Sequence, residues 1–316
     1  MKLQHTLALC IPAYNAAHYL PKLLQSAKNQ AIPFNEILVY NDCSTDNTKE
    51  IAEEYGAIVI NGDINRGCSY GKNKLAEYAT SQWLHFHDAD DLLLPNFTLV
   101  ANKWMRSPDS PDVVLLNYEY REAGTNELIC MPSYDLAIMQ NDPVKFTITH
   151  KIVNFGIYKR SSFLTAGGFN LDTKVLYNED AAFHHRLSLA ELKFGYEKEV
   201  TCINYRYNKS MSASNIRKCL VAKYYVTENL VANHLHKKYP NEIGSIYWEL
   251  AALFASQKDW KYTKKSLARA KAVTKSRIPK DEKNKLLRYL CGVDPFFAHS
   301  VREYYIRFFK PQLRRI

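Results

Sequence analysis

Strand-like and helix-like stretches alternate through the first hundred residues, and that alternation leaves few architectures open. "LALCIP" is a short unbroken apolar run, and "AHYLPKLLQSAKNQ" follows with Leu20, Leu23, Leu24 and Ala27 at helical spacing. "EILVYND" then reads as strand, "NTKEIAEEYG" as a helix closed by Gly56, and "AIVI" as strand. "YGKNKLAEYA" is the next helix and "QWLHFHD" the next strand. The pattern predicts βαβ units, hence an α/β fold with parallel strands covered by helices on both faces. Ligands of such sheets bind beyond the carboxyl ends of the strands.

Those ends are polar and acidic. They carry Pro12-Ala13-Tyr14-Asn15, then Asn41 to Asp46, then "NGDINRGCSYGKN" with Asn65 and Lys72, then Asp88-Ala89-Asp90-Asp91. Three carboxylates within four positions repel one another, and a bound cation would relieve that repulsion. A polar turn followed by a helix cap accounts for the same residues, so this stretch alone leaves both readings open. His85 and His87 alternate with Trp83 and Leu84 and read as packing residues rather than ligands.

"DVVLLNYEY" and "ELICM" predict two further strands, a hairpin across "REAGTN". Residues 132–180 look irregular up to "NEDAAFHHRL", a helix opened by Asn178 with Glu179 and Asp180 in its first turn, where the helix dipole favours carboxylates. "EVTCINYRYN" reads as a strand. From about residue 215 the pattern is helical only. Its last segment aligns Phe297, Val301, Tyr304, Tyr305 and Phe308 on one side, with Arg302, Arg307, Lys310, Arg314 and Arg315 around them. That suits a helix in a membrane interface, and equally one packed on its neighbours with a solvated basic face.

Charge divides the chain in the same place. Residues 1–210 hold 20 Lys and Arg against 24 Asp and Glu, whereas residues 211–316 hold 22 against 8. The basic part would meet something anionic, such as lipid headgroups or nucleic acid. Seven scattered cysteines with no CxxC pair suggest reduced thiols in a cytoplasmic setting and argue against a zinc site. No apolar run reaches the ~18 residues of a spanning helix, so a soluble or peripheral protein is expected.

Taken in order, these segments resemble the family 2 glycosyltransferases, which have the GT-A fold. "CIPAYN" is similar to that family's opening strand and loop, "VYNDCSTD" to its second-strand signature, and "NRGCSYGKN" to its Asn-x-Gly segment. "HFHDADD" resembles its metal motif, "GGF" its acceptor-side turn and "NEDAAFHHR" its catalytic helix start. The resemblance covers about residues 6–212. It implies a GT-A domain over 1–212, a mixed sheet with flanking helices, followed by a basic α-helical appendage over 213–316.

The resemblance also implies roles. Asp90 would be the first metal ligand, assisted by Asp91 or Asp88, for Mn²⁺ or Mg²⁺. Pro12, Tyr14, Asn15, Asp42, Asn65, Lys72, Asp88 and Asp90 would line the site of a nucleotide-sugar donor, UDP-linked, with Tyr14 stacking on the base and Asp42 accepting from it. Asn41 and Cys43 depart from the family's acid-Asp-Gly pattern, and Lys72 stands where Arg is common. Asp180 would be the general base, with Glu179 and Arg186 in support, for inverting transfer to a glycan or lipid-linked glycan hydroxyl.

Two other readings remain to be weighed. A dinucleotide-dependent oxidoreductase would need GxGxxG after the first strand, where Pro12-Ala13-Tyr14-Asn15 stands instead. A non-catalytic GT-A-like adaptor with a membrane- or nucleic-acid-binding basic tail need not retain Asp42, Asp90 and Asp180. A peripheral enzyme at an anionic membrane surface, with nucleic acid set aside, is the expectation.

Overall fold

The structure is a computed structural model that describes residues 5–207, 213–280, 282–310 and 312. The chain separates into two compact units, Met1–Leu171 with Glu179–Ser210, and Asp172–Asn178 with Met211–Ile316. The expected boundary at residue 212, like Arg314 and Arg315, lies outside the described residues.

The first unit opens with β1 (Leu7–Ala13), α1 (Leu20–Lys28), β2 (Glu36–Asn41), α2 (Thr48–Glu54), β3 (Ile58–Asn61), α3 (Cys68–Tyr78) and β4 (Trp83–Phe86). These four strands run parallel in the order β3-β2-β1-β4. All seven residues of β1 are buried, and its two-residue period sends them to opposite faces of the sheet. Leu7, Leu9 and Ile11 pack with Leu23 and Leu24 of α1, while Ala8 and Cys10 pack with Leu75 and Ala76 of α3. Both faces are therefore covered, as the alternation predicts.

After β4 come β5 (Leu92–Leu93), α4 (Phe97–Met105), β6 (Val113–Glu122), β7 (Leu128–Cys130), α5 (Leu136–Asn141), α6 (Pro143–Thr149), β8 (Gly156–Lys159), α7 (Arg160–Thr165), α8 (Glu179–Leu189) and β9 (Phe194–Arg206). The sheet continues β4-β8-β6-β9-β5, with β7 paired to β6. Because β8 is antiparallel to both β4 and β6, the sheet is mixed. The sequence reading treats 132–180 as irregular and so misses β8, a central strand. Gly156, Ile157 and Tyr158 are all buried, so "GIYK" has no polar alternation to betray it, and four residues are too few to separate strand from loop. β9 also starts at Phe194, earlier than its apolar run suggests.

Two tight turns shape the rim beyond β1 and β2. Asn15 and Cys43 both have left-handed backbones, with φ of 49° and 62°. Asn15 accepts the Thr45 N–H at 2.8 Å through its side chain and donates its own N–H to Ser44 Oγ at 3.0 Å, joining the two loops. Asp46 accepts the Thr48 N–H at 3.1 Å at the start of α2.

The second unit contains a short 3₁₀ turn (Thr173–Asn178) and α9 (Ile216–Ala232), α10 (Pro240–Ser256), α11 (Trp260–Thr274), α12 (Lys285–Val293) and α13 (Pro295–Phe309). Tyr224, Tyr247, Phe254 and Tyr262 pack ring to ring between α9, α10 and α11, and Glu228 is held there by Tyr247 and Arg269. Among the described residues no helix is long and apolar enough to cross a membrane.

The left-handed Cys43 occupies a position that only glycine adopts freely. Cys43→Gly should change stability by less than about 1 kcal/mol, while the β-branched Cys43→Val should cost roughly 1–2 kcal/mol. Urea melts of the two variants check this; equal stability of both would show that the turn carries no such constraint.

Candidate functional site

Parallel pairing of β1, β2 and β4 brings their carboxyl ends to one edge of the sheet. Asp42 follows β2 and is buried. Its two oxygens accept the N–H groups of Arg66 at 2.8 Å and Gly67 at 2.7 Å, the residues that lead into α3. Asp42 thus pins the start of α3 to the rim. One turn into α3, the Lys72 side chain is only 1% exposed and its Nζ lies 3.0 Å from Asp88 Oδ1, in the loop after β4. The ammonium also sits 5.4 Å from the centre of the Phe169 ring.

Burial works to lower the pKa of Lys72. Asp88 first, with Asp180 and Glu179, outweighs it and holds the ammonium pKa well above its ordinary value. Asp180, half-buried in the first turn of α8, responds in the opposite sense. Burial and the neighbouring Glu179 push its carboxyl up to about 7, against the pull of Lys72. Glu179 is also raised by burial, and it accepts a hydrogen bond from Cys68 Sγ at 3.4 Å. The crevice therefore gathers Lys72, Asp88, Glu179 and Asp180 from three distant segments.

The remaining acidic candidates divide. Asp90 is pushed up to about 6 by burial and by Asp88. Asp91 is buried, and its oxygens accept the Tyr205 N–H and Asn204 Nδ2 at 2.8 Å each, so it fastens the end of β9 to this loop. Both residues border a cavity of about 220 Å³, faced by Tyr19, Lys22, Tyr205 and Tyr207. For a divalent cation, the fit rests on Asp88 and Asp90: Asp90 is a half-buried carboxylate pushed above its usual range by burial and by the exposed Asp88 close to it. The donors are oxygens alone, which suits a hard cation.

Other expected residues fall elsewhere. Tyr14 is 53% exposed at the end of β1 and Asn65 is exposed on the loop before α3, whereas Pro12 is buried against α3 near Gly71. Arg186 forms no hydrogen bond or ion pair with Asp180. Its Nη1 donates to the carbonyls of Gly167 at 2.7 Å and Gly168 at 2.8 Å, holding the "GGF" turn. Both glycines have positive φ, and a Cβ on Gly168 would lie 2.5 Å from Asn73 Oδ1. His85 and His87 are fully buried and hydrogen-bonded to each other at 2.9 Å, and with Cys202 they form the one group of three metal-competent side chains found among the described residues. That group lies in the core, with His85 also on the Gly156 carbonyl.

Two asparagines to which the sequence assigns no site role take part in this arrangement. Asn154 is buried and donates through Nδ2 to Asp180 Oδ1, while Asn73 clamps Phe169 by accepting its N–H at 2.8 Å and donating to its carbonyl at 3.0 Å. Asn73 closes the segment "NRGCSYGKN", directly after Lys72. Asn154 stands in "VNFG", where nothing local distinguishes it from any loop asparagine.

The folded Asp180 carboxyl titrates above its ordinary value of 3.8, so the folded chain binds the extra proton and loses stability as pH rises from 3.8 through about 7. Asp180→Asn removes that loss. Its melting temperature in chelator should exceed the wild-type value by roughly 2 °C or more at pH 8, with the gain vanishing near pH 4. A lower melting temperature at pH 8 would show that Asp180 is not held against its tendency to protonate.

Comparison with known proteins converges on one family. The profile described as Glycosyl transferase family 2 matches residues 8–165. EpsH of Bacillus subtilis, whose glycosyltransferase name is provisional, is 28% identical over 66% of this chain and 65% of its own length. YibD of Escherichia coli K12, named an uncharacterized glycosyltransferase, is 34% identical over 39% of this chain and 38% of its own. The chain thus spans less than two thirds of these relatives. Among solved structures, S. aureus TarS 1–349 in complex with UDP-GlcNAc superposes with a TM-score of 0.60 at 16% identity, covering 96% of this chain and 91% of that one. The mannosyltransferase PcManGT of Pyrobaculum calidifontis, solved with GDP-Man and Mn²⁺, gives 0.57 at 16% identity over 95% and 84%. At such identities the structural likeness establishes the GT-A fold. With half of its residues inside the family profile, the chain belongs to glycosyl transferase family 2.

Proposed function

We propose that the chain is an inverting glycosyltransferase that moves a sugar from a UDP-linked donor to a hydroxyl of a glycan or lipid-linked glycan. The observation that carries this reading is the buried Lys72 among Asp88, Glu179 and Asp180, with Asp180 raised to about 7. A sugar hydroxyl is a poor nucleophile, and a base with a pKa near the working pH is the best proton acceptor as it attacks. Asp180 fills that role, and Asn154 orients it. Attack on the face opposite the departing diphosphate inverts the anomeric carbon. Two proteins of the same fold are solved with nucleotide sugars, which supports the donor class.

The donor's base stacks on the exposed Tyr14, beside the loop that Asp42 holds. Lys72 supplies positive charge where the diphosphate arrives. Asp88 and Asp90 would hold Mn²⁺ or Mg²⁺, which when bound offsets diphosphate charge and stabilises the leaving group. Asp91 serves this arrangement by fixing the loop to β9 rather than by ligation. Glu179 and Arg186 act at one remove, Glu179 through its field on Asp180 and Arg186 through the glycine turn that shapes the acceptor side.

Asp180→Asn should lower transfer roughly 10²–10⁴-fold while leaving UDP-sugar affinity, measured calorimetrically, within about threefold of wild type. Transfer at the wild-type rate would remove Asp180 as the base. Because the base must be ionised, kcat should rise with pH through about 7. Asn154→Ala removes a donor that favours the ionised form, so the rising limb should move to higher pH. An unmoved limb with reduced kcat would make Asn154 a packing residue only. With Mn²⁺ present, UDP-sugars should raise the melting temperature more than GDP-sugars; the reverse order would reassign the base.

A further inference from the structure

The last two helices turn their large apolar residues outward. On α13, Ala298, His299, Glu303 and Ile306 are the buried positions. The aromatic side faces solvent, with Phe297 at 53%, Tyr304 at 61% and Phe308 at 67% exposure. α12 likewise exposes Leu286, Tyr289 and Val293, each at 62% or more. Of the α13 phenylalanines, Phe296 packs inward, edge-on to Trp260 at 5.7 Å, and Phe297, Phe308 and Phe309 are exposed. A helix stabilised only by packing on its neighbours would bury phenylalanines and expose a glutamate, yet Glu303 is buried and paired with Arg302 at 2.8 Å. Large apolar side chains exposed in this number on two successive helices mark an interaction site.

Charge selects the occupant. Lys283, Lys285, Arg288 and Lys310 are exposed on α12 or at the ends of the two helices, within a region holding 22 Lys and Arg against 8 Asp and Glu. A cleft of about 550 Å³ is lined by Tyr304 and Phe308 with Trp260, Ser300, the cations Lys258 and Arg307, and the carboxylate of Glu303. A second copy would bring like charges together, whereas an anionic surface would be attracted. Aliphatic side chains such as Leu286 and Val293, set at helical spacing with Tyr and Phe, fit the headgroup–acyl boundary of a bilayer better than stacked bases.

We propose that the outward face of α12 and α13 seats the protein on an anionic lipid bilayer. This inference rests on the second unit alone and stands apart from the catalytic reading. The test is co-sedimentation of the full chain with vesicles of phosphatidylcholine alone or mixed with phosphatidylglycerol, beside light scattering for oligomeric state and binding to single-stranded RNA. Wild type should partition at least tenfold more strongly onto the anionic vesicles, and less so in high salt. The double variant Tyr304→Ser/Phe308→Ser, at exposed positions, should lose roughly tenfold of that binding with an unchanged circular dichroism spectrum. Equal binding by both forms overturns the proposal. So does a stable dimer dissociated by the same variant without vesicle binding, which makes a second copy the occupant, and so does RNA binding that exceeds vesicle binding.

Discussion

An ammonium ion almost wholly removed from water is the constraint on which the first unit depends. Lys72 reaches that position on α3, and the idealised cost of burying such an ion is far larger than one ordinary interaction returns. It is stable there only because Asp88, Glu179 and Asp180 surround it. The dependence runs both ways, since without Lys72 the carboxylates would face one another across a partly desolvated crevice. The loop after β4, the body of α3 and the start of α8 therefore have to meet, although more than a hundred residues separate Lys72 from Asp180.

Around that centre the polar side chains do two kinds of work. Some are consumed by backbone: Asp42 by Arg66 and Gly67, Asp91 by the end of β9, Asn73 by Phe169, and Arg186 by Gly167 and Gly168. These bonds hold irregular segments where no sheet or helix ladder could, and they fix the crevice before any ligand arrives. Asp90 and Asp180 are instead raised first by burial and then by a neighbouring carboxylate, Asp88 for Asp90 and Glu179 for Asp180. Sites that perform acid–base chemistry commonly contain groups shifted in this way.

The helical unit shows the limit of periodicity. The spacing of Phe297, Val301, Tyr304 and Phe308 defines one face of α13 correctly, but spacing does not say whether that face looks in or out. Ala298 and Ile306 give the opposite side enough small apolar surface to pack closely. Only the position of the neighbouring helices decides between them, and it leaves the aromatics exposed.

The βαβ alternation, the covered faces of the sheet, the acidic rim and the family were all legible in the residues, because side-chain period and strand-end chemistry are local properties of the chain. The tertiary structure decided what local pattern does not encode. It inserted β8, too short and too evenly apolar to announce itself, between β4 and β6. It separated Asp91, bound to β9, from Asp88 and Asp90 beside it. It sent Arg186 to a glycine turn and brought an unremarked Asn154 to Asp180. In each case the outcome depends on which distant donor or charge comes within about 3 Å, and hydrogen bonds and buried charges act only at such range.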